Sequence, residues 1–128
     1  MMQDNDRSAI IKIGDEEYQL ILTTKATKEI AKRYGGLENL GTKLMKTENF
    51  EMALDEVVWL ITLLANQSIL IHNLKNQEKR ELLTEETVEL LTSPLELAAY
   101  KDAIMEAMFK GTKRNVESED DIKNTPAE

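Results

Sequence analysis

The chain has 128 residues, 41% of them hydrophobic, and no cysteine, which suits one domain with a real core and excludes a disulfide framework or a thiolate metal site. Acidic residues outnumber basic ones 24 to 16, a formal net charge of −8 at pH 7, so the mean field repels phosphate and nucleic-acid binding would need a concentrated basic patch. The N-terminal MMQDNDRS has neither a cationic stretch nor an apolar run, so no signal peptide is expected and the expected compartment is the cytoplasm.

Residues 1–8 are polar, and disorder is expected over 1–9. In AIIKIGDEEYQLILTT, Ile11 and Ile13, then Tyr18, Leu20 and Leu22, recur at every second position around Gly-Asp-Glu-Glu, which predicts a β-hairpin with Gly14 near its corner. A lone hairpin is marginal in water, so one face must lie on helices. After Thr24 the period becomes helical: Ala26, Ile30 and Tyr34 recur at i, i+4, i+8, with Thr24 placed as the cap and Gly35-Gly36 placed to end the helix. Leu37, Leu40 and Leu44 suggest a further brief helical turn, weakened by Gly41.

The stretch VVWLITLLANQSILI is the most apolar in the chain. A spanning helix needs roughly 20 consecutive apolar residues, and Asn66, Gln67 and Ser68 interrupt this one, so a membrane span is not expected. Behind a cap at Asn49, the residues Phe50, Leu54, Val57, Ile61, Leu64 and Ser68 mark one helical face. Trp59, Leu63 and Leu70 mark a second apolar face. Such a helix either sits at the centre of the fold or covers a partner on the side its own domain leaves open.

KNQEKRE is a polar break. Thr84 then caps EETVELL, whose early glutamates suit the positive end of a helix dipole. In SPLE, Ser93 as N-cap, Pro94 at the first helical position and Glu96 three residues after the cap make a capping box. The helix that follows has a stripe of Leu97, Tyr100, Ile104, Ala107 and Met108, and Gly111 is expected to stop it. Residues 112–128 keep only Val116 and Ile122 as large apolar side chains. That cannot offset roughly 1–2 kcal/mol of backbone ordering per residue, so a disordered acidic tail is expected. The fold class is mainly α (α+β): a helical domain over residues 10–111 with a short N-terminal β-hairpin, followed by that tail.

Reaction chemistry is hard to find. Gly36 and Gly41 have the separation of a phosphate-binding loop, but Thr42 precedes Lys43, the reverse of the order that brings lysine to the phosphates. His72 is the single histidine, so no histidine pair can hold a catalytic metal, and the glutamates at 78, 81, 85, 86 and 89 lack the glycine spacing of a calcium loop. Ser68 stands one helical turn from His72 with no third group or oxyanion nest in view. No catalytic, cofactor-binding or metal-binding residue is expected, and no enzymatic activity. Lys25, Lys28 and Lys32, with Arg33 beside them, form a basic stripe that reads as a soluble helix surface or a dock for an acidic peptide, without the interleaved aromatics of a nucleic-acid site.

Together IKIGDEEYQLILTTKATKEIAKRYGG, the tryptophan-containing apolar helix, LTEETVELL and PLELAAYKDAIMEAMFKG resemble the small tail assembly chaperones of long-tailed bacteriophages and related gene transfer agents, over roughly residues 10–111. The resemblance implies a non-catalytic helper in the cytoplasm of a bacterial host, absent from the mature virion. It would bind the long, hydrophobic, helical tape measure protein and keep it soluble until tube subunits polymerise around it. In this family a ribosomal frameshift often appends a second domain that recruits the tail tube protein, and the present chain would be the short product.

An amphipathic client calls for an apolar groove with helix-spaced anchors. Trp59, Leu63 and Leu70 are the candidate anchors, with Met45, Met52, Met105 and Met108 as adaptable packing. The alternative for each is that it fills this domain's own core or pairs two copies of the chain. The alternative function is accordingly a structural homo-oligomeric helical adaptor or assembly protein.

Overall fold

Strand β1 (Ser8–Ile13) runs antiparallel to strand β2 (Glu16–Ile21), with Ile13 opposite Glu16 and Ser8 opposite Ile21. The pairing leaves Gly14 and Asp15 as a two-residue turn, and Gly14 takes a φ of +63°. A glycine first in the turn with positive φ is the pattern of a type II′ hairpin, whose twist matches that of the strands. The predicted alternation holds in β1, where Ile11 and Ile13 are buried while Ile10 and Lys12 face outward, but breaks at the end of β2, where Leu20, Ile21 and Leu22 are all buried and Tyr18 is half-buried. The computed structural model describes residues 8–36, 39–40 and 50–127, with side chains described for 9–36, 39–40 and 54–111.

Helix α1 (Thr24–Tyr34) follows. Its cap is Thr23, one residue before the one expected: the Thr23 hydroxyl accepts from the Ala26 N–H at 3.0 Å, and Thr24 is already helical. The helix ends as predicted at Gly35, which has a φ of +87° and donates its N–H to the Ala31 carbonyl at 2.8 Å. Leu40 beyond it is fully buried. Gly41, Leu44, Met45 and the expected cap at Asn49 lie outside the described residues, as do residues 1–7.

Helix α2 (Phe50–Asn76) is the axis of the domain and packs against β2, α1 and two later helices, α3 (Glu85–Leu91) and α4 (Pro94–Ala127). Its Val57, Val58, Leu60, Ile61, Leu64 and Ala65 are buried, each of the larger ones worth about 1.5–3 kcal/mol of transfer free energy. The interruption at Asn66, Gln67 and Ser68 does not shorten it. Leu54–Asn76 is 23 residues of mean hydropathy 1.5, long and apolar enough to cross a membrane by length and composition alone. Only part of that apolarity, 39% of the window, is buried in the fold, and Gln67 is buried with both ends of its amide used. It accepts from the Thr23 hydroxyl and donates to the Leu63 carbonyl, the latter at 3.1 Å, tying the cap of α1 to α2.

The two later helices start where their caps predict. Thr84 accepts from the Thr87 N–H at 3.1 Å. At Ser93 the capping box is complete: its N–H donates to the Glu96 carboxylate at 2.9 Å, and its hydroxyl accepts from the Glu96 N–H at 3.3 Å. Leu97, Tyr100, Ile104, Ala107 and Met108 are all buried, and the Tyr100 hydroxyl donates to the Lys12 carbonyl across to β1. The hairpin therefore lies over α2 and α4 together.

Gly111 corrects one expectation. It is buried within α4, which runs on to Ala127, instead of ending it. A Cβ at Gly111 would stand 2.8 Å from the Leu22 Cβ, so the glycine serves close approach of helix to strand, not termination. Side chains of 112–128 lie outside the described residues. The fold is mainly α, with an antiparallel two-stranded hairpin at its N-terminal side.

Candidate functional site

The second apolar face of α2 does not disappear into the core. Trp59, Leu63 and Leu70 remain half-buried and together line a groove of about 320 Å³. Along α2 the distance from Trp59 to Leu70 is eleven residues, or about 16 Å at 1.5 Å per residue, so the groove is about three helical turns long. Lys25 and Glu29 of α1 form one bank, and Leu82 and Glu85 form the other. Thr62, Asn66 and Gln67 supply the polar part of its floor.

The second bank is an extended strap, Gln77–Thr84, that returns antiparallel along α2. Asn73 donates to the Arg80 carbonyl at 3.1 Å and accepts from the Arg80 N–H at 3.1 Å. Asn66 does the same with Leu83, donating to its carbonyl at 2.9 Å and accepting from its N–H at 2.7 Å. Seven residues of helix advance about 10.5 Å and three of extended chain about 9–10 Å, so the two asparagines meet backbone groups three residues apart. Each amide thus stands in for a neighbouring strand. Gln77, with a φ of +54°, makes the bend out of α2, and His72 fixes the near end through Nε2 to the Glu78 carboxylate at 2.7 Å.

The floor at Trp59 is held from behind. The Arg33 guanidinium lies 4.4 Å from the Trp59 ring centroid, within cation–π range, and Tyr34 meets the same indole edge-to-face with centroids 6.0 Å apart. Glu56, buried on α2, accepts from Arg33 at 3.3 Å and from the Tyr34 hydroxyl. Burial pushes the Tyr34 hydroxyl pKa well up, and the hydrogen bond to Glu56 adds to it. Burial opposes the charge on Arg33, yet its hydrogen bonds to Tyr34 and Glu56 raise its pKa overall. Of the basic stripe, Arg33 is therefore committed to packing, Lys32 sits 4.0 Å from Glu29, and Lys25 faces the groove.

The methionines are not brought to the same place. Met108 fills the core, so its expected role at a partner surface is corrected in favour of the buried stripe to which it belongs. Met105 is exposed on α4 and does not line the groove. The side chains of Met45 and Met52 lie outside the described residues. Other exposed apolar side chains stand apart from the groove: Leu90 and Leu91 on α3, and Leu95 in the first turn of α4.

The residues weighed for chemistry are engaged elsewhere. Ser68 donates to the Ala65 carbonyl at 2.8 Å, and His72 accepts at Nδ1 from Asn76 at 3.1 Å while its Nε2 faces Glu78. Gly36 follows the cap of α1, not a strand. Among the described residues no group of three or more histidine, aspartate or glutamate side chains could hold a metal ion. Sequence reasoning put Trp59, Leu63 and Leu70 on one face, where they line the groove, but missed the strap and the Arg33–Glu56 support. The signal for the strap was present: Asn66 and Asn73 are seven residues apart on one face of α2, just before a polar stretch long enough to fold back.

Compared with protein-family models, with curated proteins and with solved structures, the chain has no match.

Proposed function

We propose that this protein is a non-catalytic tail assembly chaperone of a long-tailed bacteriophage, which binds the tape measure protein and keeps it soluble in the host cytoplasm during tail construction. The observation that carries the reading is the convergence of Trp59, Leu63 and Leu70 on one open groove. A helix laid in such a groove buries anchors at i, i+3 or i+4, and i+7, the spacing of a long helical client. The net charge of −8 would help keep a greasy complex dispersed. A frameshifted longer form would bring the tail tube protein to the same complex, and neither form would remain in the virion.

Co-expression with the tape measure protein encoded nearby tests this. The expected result is a rise in its soluble yield, lost with Leu63→Asp; an unchanged yield with the intact protein would sink the reading. A second reading, a homo-oligomeric helical adaptor, draws support from Leu90, Leu91 and Leu95, which are exposed outside the groove. Light scattering separates the two, since a closed oligomer that dissociates on mutation of Leu90 and Leu95 to aspartate would favour the adaptor.

A further inference from the structure

The strap Gln77–Thr84 is held unlike the strands and helices around it. Ahead of the Thr84 cap its one backbone–backbone hydrogen bond runs from the Glu78 N–H to the Asn73 carbonyl, at 3.2 Å. The remaining hydrogen bonds to α2 come from side chains: Asn73 on Arg80, Asn66 on Leu83 and His72 on Glu78. Gln77–Leu82 are exposed, and Leu83 is the one strap residue packed against the core, itself half-buried. A segment with few buried apolar contacts and few backbone bonds opens at a lower free energy than its surroundings.

What lies beneath the strap is apolar. Asn66 and Asn73 are two helical turns apart, and Ile69 and Leu70 stand between them on the same side of α2. The chain from Arg80 to Leu83, bonded to both asparagines, therefore passes over this pair. Ile69 is 9% exposed, yet it does not belong to the cluster of buried side chains that forms the core. A buried isoleucine outside the core needs a cover of its own, and the strap is the segment that crosses it.

Both ends of the strap suit a pivot. Gln77 has a φ of +54°, the one side-chain-bearing residue in that region among the described residues, and Thr84 opens α3, which Val88 anchors in the core. We propose that the strap is a lid: Gln77–Leu83 lifts from α2 as a unit, without global unfolding, when the Asn66, Asn73 and His72 bonds release together. Raising it uncovers Ile69 and withdraws the Leu82 wall, so the apolar strip of Trp59, Leu63 and Leu70 widens on the side the strap closes. The lid thus sets how much apolar surface α2 offers. It depends on no particular client, and a failed co-expression with the tape measure protein would leave it standing.

The chain has no cysteine, so Ile69→Cys places a single thiol under the lid and Leu64→Cys a single thiol in the core. A disulfide reagent reacts with each only when it is reachable. Ile69→Cys should label at least about a hundredfold faster than Leu64→Cys, at a rate that low denaturant barely changes, because a local opening exposes little surface. Adding Asn66→Ala and Asn73→Ala should speed labelling at position 69 at least about fivefold. Ser93→Ala, which weakens α4 away from the strap, should speed labelling at position 64 and leave position 69 unchanged.

Amide hydrogen exchange gives the same answer with every native side chain in place, should Ile69→Cys fail to fold. The Arg80 and Leu83 N–H groups, each bound to an asparagine oxygen, should exchange at least about a hundredfold faster than those of Ile61 and Leu64 after correction for intrinsic rates. If the strap moves as a unit, Asn66→Ala should speed exchange at Arg80 by the same factor as at Leu83. Exchange at Leu83 with the rate and denaturant dependence of the core overturns the proposal, since the strap would then open only with the whole fold. So does an Arg80 amide that ignores Asn66→Ala, or a thiol at position 69 as reactive as one at the exposed Leu74, which would show no cover at all.

Discussion

Asn66 and Leu83, seventeen residues apart, exchange two hydrogen bonds in which a side-chain amide takes both backbone groups of one residue, at 2.7 and 2.9 Å. The contact converts a polar stretch into a fixed edge of the groove. It does so without a third strand.

Replacing Asn66 by alanine leaves a part-buried N–H and carbonyl of Leu83 without their partners, which costs about 1–3 kcal/mol. Denaturant unfolding should show that loss. Asn73→Ala, whose pair with Arg80 is solvent-exposed, should cost less, because water replaces the amide there.

Gly111→Ala pits two effects against each other. Alanine gains up to about 1 kcal/mol of helix propensity, but its Cβ would lie 2.8 Å from the Leu22 Cβ and 3.0 Å from the Leu22 Cδ2. Overpacking of that kind costs about 1–3 kcal/mol, so a net loss is expected. Thermal melting of Gly111→Ala with and without Leu22→Gly checks the cause, because Leu22→Ala would keep the Cβ at 2.8 Å. If the clash is responsible, the glycine substitution should be less harmful when Leu22 has been shortened.

Tyr34 makes stability sensitive to alkali. Its hydroxyl pKa is raised from 10.0, first by burial and then by the bond to Glu56, so the folded protein holds that proton more tightly than the unfolded chain does. The contribution is complete below pH 10 and is lost as pH climbs above it. Tyr34 is half-buried, so the slope should stay below about 1.4 kcal/mol per pH unit. Tyr18 and Tyr100, also raised chiefly by burial, act in the same direction. Unfolding followed from pH 9 to 11 should therefore show a shallower decline in Tyr34→Phe, not an abolished one.

Ser93→Ala removes the hydroxyl that accepts from the Glu96 N–H and leaves the reciprocal Ser93 N–H bond without its counterpart. A cap of this kind is worth about 0.5–2 kcal/mol. Glu96→Gln, which can still accept from the Ser93 N–H, should cost less than Ser93→Ala in the same denaturant titration.

Much of the secondary structure was legible because its signals are local. Alternation at Ile11, Ile13, Tyr18, Leu20 and Leu22, the caps at Thr84 and Ser93, and the glycine stop at Gly35 each need only neighbours within one turn or one hairpin. The buried stripe of α4 followed from a period of 3.6. Gly111 was misread for the same reason, since a glycine at the end of an apolar stripe looks like a stop whether it terminates a helix or admits Leu22.

By itself, then, the amino-acid order determined the element types, most of their ends, and the excess of apolar surface on the helix that carries Trp59, Leu63 and Leu70. Periodicity and capping act over a few residues, so they can be read along one dimension. Only the tertiary structure decided which of those side chains meet in a groove, that Met108 belongs to the core, and that Arg33 and Glu56 brace Trp59. Those outcomes depend on pairs far apart in the chain, as Tyr100 and Lys12 are at 88 residues, whose approach is set by how the hairpin and helices pack and not by any residue's neighbours.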